Sequence, residues 1–328
     1  MILVLGGAGY IGSHLSKRLR ENHKDHVVFD NLSHGHREAV QDSKFFEGDL
    51  LDRASLDEVF VKYPIKTVFH FAAHISVGES VREPLKYWRN NTAGVLTLLE
   101  AMKDHGIQNL VFSSTAAIFG EPQYIPIDEA HPKSPTSPYG SSKLAVETLL
   151  SECDRGFGLR SVCLRYFNAA GADPSSEIGE DHSPEEHLIP VAIEAAVGKR
   201  AGLKLFGTDY PTPDGTCVRD YIHILDLAEA HILAAKHLEN GGESRRYNLG
   251  NGQGFSVKQV IDIVSKVTGL PVPYEEVERR PGDPATLIAS SEAIRRDWGW
   301  TPKYPDLTTI VEHAWNWHRL HPDGYRTK

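Results

Sequence analysis

Tyr139-Gly140-Ser141-Ser142-Lys143 sets a phenol and an ammonium four residues apart, one helical turn from each other on a single face. Ser137-Pro138 comes immediately before. Serine is a preferred N-cap and proline a preferred first helical residue, so Tyr139 is expected in the first turn of its helix. The partial positive charge of a helix N-terminus and the full charge of Lys143 both favour a phenolate. A free tyrosine ionises near ~10. These neighbours are expected to lower that value and make Tyr139 a general base for an alcohol proton. Alone, such a pair is more often a surface tyrosine and a solvated lysine. A hydroxyl-rich strand end, Val111-Phe112-Ser113-Ser114-Thr115-Ala116-Ala117, offers a partner that would bridge a substrate oxygen and the phenol. Its plainer reading is hydroxyls satisfying backbone groups.

The context that favours chemistry lies at the start of the chain. Gly6-Gly7-Ala8-Gly9-Tyr10-Ile11-Gly12 follows the apolar run Ile2 to Leu5 and precedes a helical pattern of Ile11, Leu15 and Leu19. Strand, glycine turn and helix form the unit whose backbone N–H groups hold a pyrophosphate. The next strand ends in Asp30, at about the offset where an acid meets the adenosine ribose hydroxyls. A carboxylate there accepts from a 2′-OH and repels a 2′-phosphate, which favours NAD over NADP. His36 and Arg37, close behind, keep NADP open. Asp49-Leu50 and Phe71-Ala72-Ala73 end strands on the same rim and would line the adenine and ribose. A dinucleotide beside a phenol and a cation means hydride exchange on an alcohol or ketone.

These groups need a frame. Candidate strands are Ile2–Gly6, Val27–Asp30, Lys44–Glu47, Thr67–Phe71, Asn109–Ser113 and Ser161–Tyr166. Helical patterns near Tyr10–Glu21, Ser55–Tyr63, Pro84–His105 and Pro138–Asp154 alternate with them. That alternation predicts an α/β fold, a Rossmann-type doubly wound parallel sheet, with its ligand where the strand order reverses. Beyond Asn168, long Gly/Pro/Asp-rich loops separate helices near His187–Val197, Asp226–Leu238, Ser256–Thr268 and Leu307–Leu320. Residues 1–168 are therefore expected to form the dinucleotide domain, with a returning segment near 220–250. Residues 169–328 are expected to form mainly a smaller α/β substrate-binding region, interleaved with the first. Trp298, Trp300, Trp315 and Trp317 read as packing of that region.

Composition narrows the classes. The 328 residues carry a net charge of −9, which argues against a broad nucleic-acid surface. No apolar run reaches the length of a membrane span. Three cysteines without CxxC spacing read as reduced thiols, and a strand starting at Ile2 leaves no room for a leader, so the cytoplasm is the expected compartment. No metal site is expected: His34/His36, His70/His74 and His182/His187 lack a supporting acid at recognisable spacing.

The glycine pattern, the hydroxyl-rich strand end and Tyr139-x-x-x-Lys143 together resemble the extended short-chain dehydrogenase/reductases that act on nucleotide sugars. Longer stretches are similar to the UDP-glucose 4-epimerase subgroup: His70-Phe71-Ala72-Ala73, Val77-Gly78-Glu79-Ser80-Val81 and Leu164 to Gly171. Others are Val218-Arg219-Asp220-Tyr221-Ile222-His223, Tyr247-Asn248-Leu249-Gly250 and Arg279-Arg280-Pro281-Gly282-Asp283. The resemblance implies reversible C4 epimerisation of UDP-galactose and UDP-glucose, through a 4-keto sugar and bound NAD. In it Tyr139 takes the 4-OH proton with help from Thr115, and Lys143 keeps Tyr139 ionisable and bonds the nicotinamide ribose. The resemblance adds Tyr10, Ile11, Asn31, Asn90 and Tyr166 to the cofactor contacts, beside Thr115, Tyr139 and Lys143. It gives Asn168 to the sugar, and His187, Leu188, Lys204, Phe206, Arg219, Arg280 and Asp283 to the UDP.

Departures from the pattern carry their own implications. Thr115 replaces a common serine, Ile75 a common lysine near the pyrophosphate, and His187 a common asparagine. Leu287 stands where a tyrosine restricts the pocket, so N-acetylhexosamines become plausible substrates. Ala116-Ala117 lack the Asp-Glu pair that a 4,6-dehydratase needs. UDP-glucuronate or UDP-pentose epimerisation and a non-catalytic NAD sensor are the alternatives. The resemblance also implies a homodimer through the helices near Pro84–His105 and Pro138–Asp154.

Overall fold

The computed structural model describes residues 1–280 and 282–325, so Pro281 of the Arg279–Asp283 motif lies outside the described residues. The chain begins with β1 (Ile2–Leu5), α1 (Tyr10–Glu21), β2 (His26–Asp30), β3 (Lys44–Glu47), α2 (Arg53–Lys62) and β4 (Thr67–His70). It continues through α3 (Val77–Arg82), α4 (Pro84–Tyr87), α5 (Gly94–Asp104), β5 (Asn109–Thr115), α6 (Pro138–Phe157) and β6 (Arg160–Tyr166). There follow β7 (Asn168–Ala170), α7 (Leu188–Ala196), β8 (Leu203–Phe206), β9 (Val218–His223), α8 (Ile224–Glu239) and β10 (Arg245–Leu249). The remainder is β11 (Gly254–Ser256), α9 (Val257–Thr268), β12 (Tyr274–Val277), β13 (Thr286–Leu287), α10 (Glu292–Trp298) and α11 (Leu307–Leu320).

A seven-stranded sheet runs β3-β2-β1-β4-β5-β6-β10, with parallel pairing across β3, β2, β1, β4 and β5. The order reverses between β1 and β4, the crevice where such folds take their ligand. The expected Rossmann-type sheet is thus the observed one. Continuous burial of β1, β2 and β4 marks a sheet covered on both faces. Leu3, Leu5, Val27, Phe29, Leu98, Phe112, Val146 and Leu150 belong to the core between sheet and helices.

The chain divides into two compact units. The first comprises Met1–Gly120, Pro132–Arg165 and Ala228–Tyr247. The second comprises Glu121–His131, Tyr166–Leu227 and Asn248–Lys328. Its core packs α7, α9 and α11 through Ile189, Ile193, Val260, Val264, Ile310 and Val311. There β9 pairs with β7, β11 and β13, while β8 pairs with β12. Trp300 and Trp317 are buried, their indole N–H groups donating to the carbonyls of Asp226 and Glu180 at 3.1 and 3.2 Å.

One expected helix differs in detail. The Pro84–His105 pattern is interrupted between α4 and α5 by a π-helical turn, Trp88–Ala93. The wider turn lets Asn91, buried, clasp the loop after β4: its carboxamide accepts from the His74 N–H at 2.9 Å and donates to the His74 carbonyl at 3.0 Å. π-turns inside helices cluster at functional positions.

Candidate active site

Gly6 leaves β1 at φ +74°, and a Cβ there would stand 2.5 Å from the Ala72 nitrogen. A Cβ on Gly12 would meet the Gly6 carbonyl oxygen at 2.3 Å, so close packing of turn on helix demands both glycines. Gly9 is different. Its Cβ would approach nothing nearer than the Gly6 oxygen at 3.5 Å, ordinary contact. The missing side chain there leaves room for something outside the protein. Asp30 accepts from the Ala8 N–H at 2.9 Å and the Leu32 N–H at 2.8 Å, and so fastens the end of β2 to the glycine turn. Burial pushes its carboxyl up, against the pull of those N–H groups.

A groove with about 580 Å³ of empty space follows this turn. Gly6, Gly9, Asp30, Asn31, Leu50, Phe71, Ala72, Ala73 and Asn90 line it, all of them residues proposed from the sequence for the cofactor. Asp49 stands one residue from the lining and accepts from Asn31 at 2.8 Å. Tyr10, Ile11 and Gly12 start α1 and are not part of the lining. The sequence reading missed Phe29, Ser33, His34, Gly35, Gly48 and His74. Ser33, His34 and Gly35 lie in the turn after Asp30, Gly48 directly after β3 and His74 in the loop after β4, all beyond strand ends on the same rim. Arg37, read as a possible 2′-phosphate partner, stacks its guanidinium over the Phe45 ring at 4.6 Å.

Ser137 caps α6 by accepting from the Gly140 N–H at 3.2 Å, with Pro138 at the first position, as the sequence predicts. The Thr115 hydroxyl lies near enough to the Tyr139 phenol to favour its ionisation. Thr115 ends β5 and also accepts from the Ala117 N–H at 3.1 Å. Ala116 and Ala117 open a short 3-10 turn. Lys143, one turn along α6 and 2% exposed, donates to the Ser113 carbonyl at 3.0 Å and lies 4.8 Å over the Phe112 ring. Thr115, Tyr139 and Lys143 are therefore brought together at the carboxyl end of β5, next to the strand whose end lines the groove.

The electrostatics depart from the expectation that Tyr139 is acidified. Burial raises the phenol, with only the Thr115 hydroxyl opposing it. Burial also lowers the Lys143 amine to about 7. Desolvation outweighs the helix terminus, with Lys143 buried and Tyr139 half-buried. His70, fully buried beneath, is held neutral at about 3 by burial and by Lys143.

Glu147, a further turn along α6, was not anticipated. Buried, it accepts from Ser114 at 2.6 Å and from Nε and Nη2 of Arg165, one edge of the guanidinium, at 2.9 and 2.6 Å. Tyr139, Lys143 and Glu147 recur every fourth residue, and the third anchors the strand that presents Thr115.

The candidate substrate residues lie in the second unit, apart from Thr115 and Tyr139. Asn168 in β7 donates to the Asp220 carbonyl at 2.8 Å. Arg219 in β9 is ion-paired with Asp283 and lies in register with Leu287 of β13. The Arg280 guanidinium stacks 4.3 Å over Phe206, and the Asp283 N–H donates back to the Arg280 carbonyl at 3.2 Å. Lys204 is exposed on β8, and Leu188 starts α7 behind its N-cap His187. Tyr166 ends β6. Flat guanidiniums held by a ring or a carboxylate suit the oxygens of a diphosphate.

One sequence inference is overturned. His182 and His187 do have supporting acids: Nδ1 of His187 lies 2.9 Å from both Glu180 and Glu185, and Nδ1 of His182 lies 3.2 and 3.7 Å from them. The loop folds the two acids onto the two rings, a closeness that linear spacing hides. These carboxylates hold the His187 imidazole well above its ordinary range.

Comparison with known proteins gives a consistent result. Residues 2–250 match the profile of the NAD dependent epimerase/dehydratase family. A UDP-glucose 4-epimerase of Halalkalibacterium halodurans is 55% identical over 327 residues, covering 100% of this chain and 98% of that protein. The crystal structure of UDP-glucose 4-epimerase from Brucella ovis in complex with NAD superposes with a TM-score of 0.94 at 47% identity, covering 96% and 97% of the two chains. That from Stenotrophomonas maltophila, with bound NAD and formylated UDP-arabinopyranose, gives 0.94 at 39% identity, covering 98% of each.

Proposed function

The chain belongs to the NAD dependent epimerase/dehydratase family, and on that premise we propose that it interconverts UDP-galactose and UDP-glucose by reversible oxidation at C4 with bound NAD. The observation that carries this reading is the meeting of Thr115, at the end of β5, with Tyr139 in the first turn of α6, and the buried Lys143 one turn behind. A hydroxyl at the sugar 4-position would approach both groups, lose its proton to the ionised, phenolate form of Tyr139 and regain it after the ketone turns over. NAD supplies the hydride acceptor and donor when bound. The groove fits it: the open side of Gly9 would admit a pyrophosphate, and Asp30 in the lining would hold the ribose.

Ala116 and Ala117 carry no group able to move the second proton that dehydration requires. The retained Tyr139 and Lys143 speak against a sensor. The role of the chain is galactose metabolism and its assembly a homodimer, as the family resemblance suggests, and its compartment is the cytoplasm, as three cysteines without CxxC spacing suggest. No described helix is long and apolar enough to cross a membrane.

Leucine rather than tyrosine at 287, beside Arg219, supports acceptance of N-acetylhexosamines. The test is NMR of anomeric protons after mixing the protein with NAD and UDP-galactose or UDP-N-acetylgalactosamine in separate tubes. Gluco epimers in both tubes are expected, and Leu287→Tyr should abolish only the second. Silence in the UDP-galactose tube would refute the epimerase reading.

A further inference from the structure

We infer that Glu180, His182, Glu185 and His187 form a binding site for one zinc-class divalent cation. Each offers one ligand atom, and the four atoms lie within 4.8 Å of one another. A tetrahedral zinc with bonds of about 2.0–2.1 Å separates its ligand atoms by roughly 3.3–3.4 Å. The nitrogen-to-oxygen separations of 2.9 and 3.2 Å to Glu180 Oε1, 2.9 Å to Glu185 Oε1 and 3.7 Å to Glu185 Oε2 bracket that edge. Two imidazoles and two carboxylates are the donor chemistry that borderline-soft transition metals accept, whereas magnesium and calcium favour an all-oxygen shell.

The charges ask for the same occupant. Glu180 and Glu185 have side chains only 5% and 4% exposed. Two carboxylates buried so deeply require compensation. Nδ1 of His187 carries at most one proton, yet faces two carboxylate oxygens at 2.9 Å each. A divalent ion among neutral imidazoles and both carboxylates makes the group neutral and gives every ligand atom a partner at once.

The outer shell is built as metal sites usually are. Glu185 Oε1 accepts from the N–H groups of Glu186 and His187 at 2.8 Å each. The carbonyl of Glu180 accepts from the Trp317 indole at 3.2 Å. A hollow lined in part by Glu180, His182 and Glu185 gives an ion its way in. The ion would pin residues 180–187 to the start of α7 and fix the His187 ring, leaving Nε2 of that ring for other work.

The experiment uses the full chain with its NAD. Protein treated with a chelator is equilibrated with micromolar zinc chloride, desalted and measured for metal by mass spectrometry. About one zinc per chain is expected, falling at least tenfold in His182→Gln and Glu180→Gln, with excess magnesium failing to compete. Cobalt(II) should give the intense visible bands of a tetrahedral site, which decides the matter even if a variant fails to fold. Three results would overturn the inference: no zinc retained, equal retention by folded His182→Gln, or the weak spectrum of six-coordinate cobalt. None of these readouts depends on epimerase activity.

Discussion

Replacing Lys143 with methionine should stabilise the cofactor-free protein in acid and lose that advantage in base. The amine sits at about 7 rather than its ordinary 10.5 because burial strips its water. Each tenfold change in an ionisation constant is worth ~1.4 kcal/mol, so the protonated lysine costs about 5 kcal/mol. Methionine forgoes the hydrogen bond to the Ser113 carbonyl and the contact over Phe112, together about 1–2 kcal/mol. The variant should therefore exceed wild type by about 3–4 kcal/mol at pH 6. The sign follows from proton counts. Between pH 7 and 10.5 the unfolded chain holds the lysine proton and the folded chain does not, so wild-type stability rises with pH across that window. Below 7 both states are protonated and the penalty is fully present. The assay is urea unfolding of NAD-stripped protein at intervals from pH 6 to 10, with the variant's curve subtracted from wild type. A difference that stays flat over that range would refute the claim that desolvation governs Lys143.

Other substitutions separate fold from chemistry. Gly9→Val should leave unfolding nearly unchanged while abolishing NAD binding in a fluorescence titration, whereas Gly12→Ala, driven against the Gly6 carbonyl, should lower the melting temperature itself. Tyr139→Phe should retain NAD and cut turnover of UDP-galactose by about 10²–10⁴-fold, the usual worth of a general acid–base group. Thr115→Ser should keep most activity and Thr115→Ala should not, because the hydroxyl rather than the methyl meets Tyr139. Arg165→Leu leaves buried Glu147 with Ser114 and the more distant Arg246 at 3.4 Å and should cost about 2–3 kcal/mol in urea unfolding, less than the loss of a sole partner.

The first β-α unit and the cap of α6 were legible because strand burial, glycine turns and Ser-Pro caps are local signals. The same holds for Gly6, Asp30 and Phe71–Ala73, which end strands beside the reversal of strand order. The π-turn at Trp88–Ala93 was not legible, since its residues suit an α-helix and tertiary clasping by Asn91 selects the wider turn. The ionisation of Tyr139 was misjudged because sequence displays the helix terminus and Lys143 but not the side chains that bury them. Glu147 was hidden because its partner Arg165 lies on β6 and not on its own helix. The Glu180–His187 cluster was missed because its geometry belongs to a loop, where no periodicity reports which side chains meet.

The sheet order has a consequence for synthesis. β6 is flanked on its outer side by β10, whose first residue follows the last of β6 by nearly eighty positions. At ~5–20 residues per second a ribosome would leave that edge unpaired for about 4–16 s. The exposed edge carries Val162, Cys163 and Leu164, an apolar ladder of the kind that recruits foreign strands. Nascent chains released before residue 245 should thus be natural clients for chaperones, and a gene cut at the apparent end of the sixth strand should yield inclusion bodies, not a minimal cofactor domain.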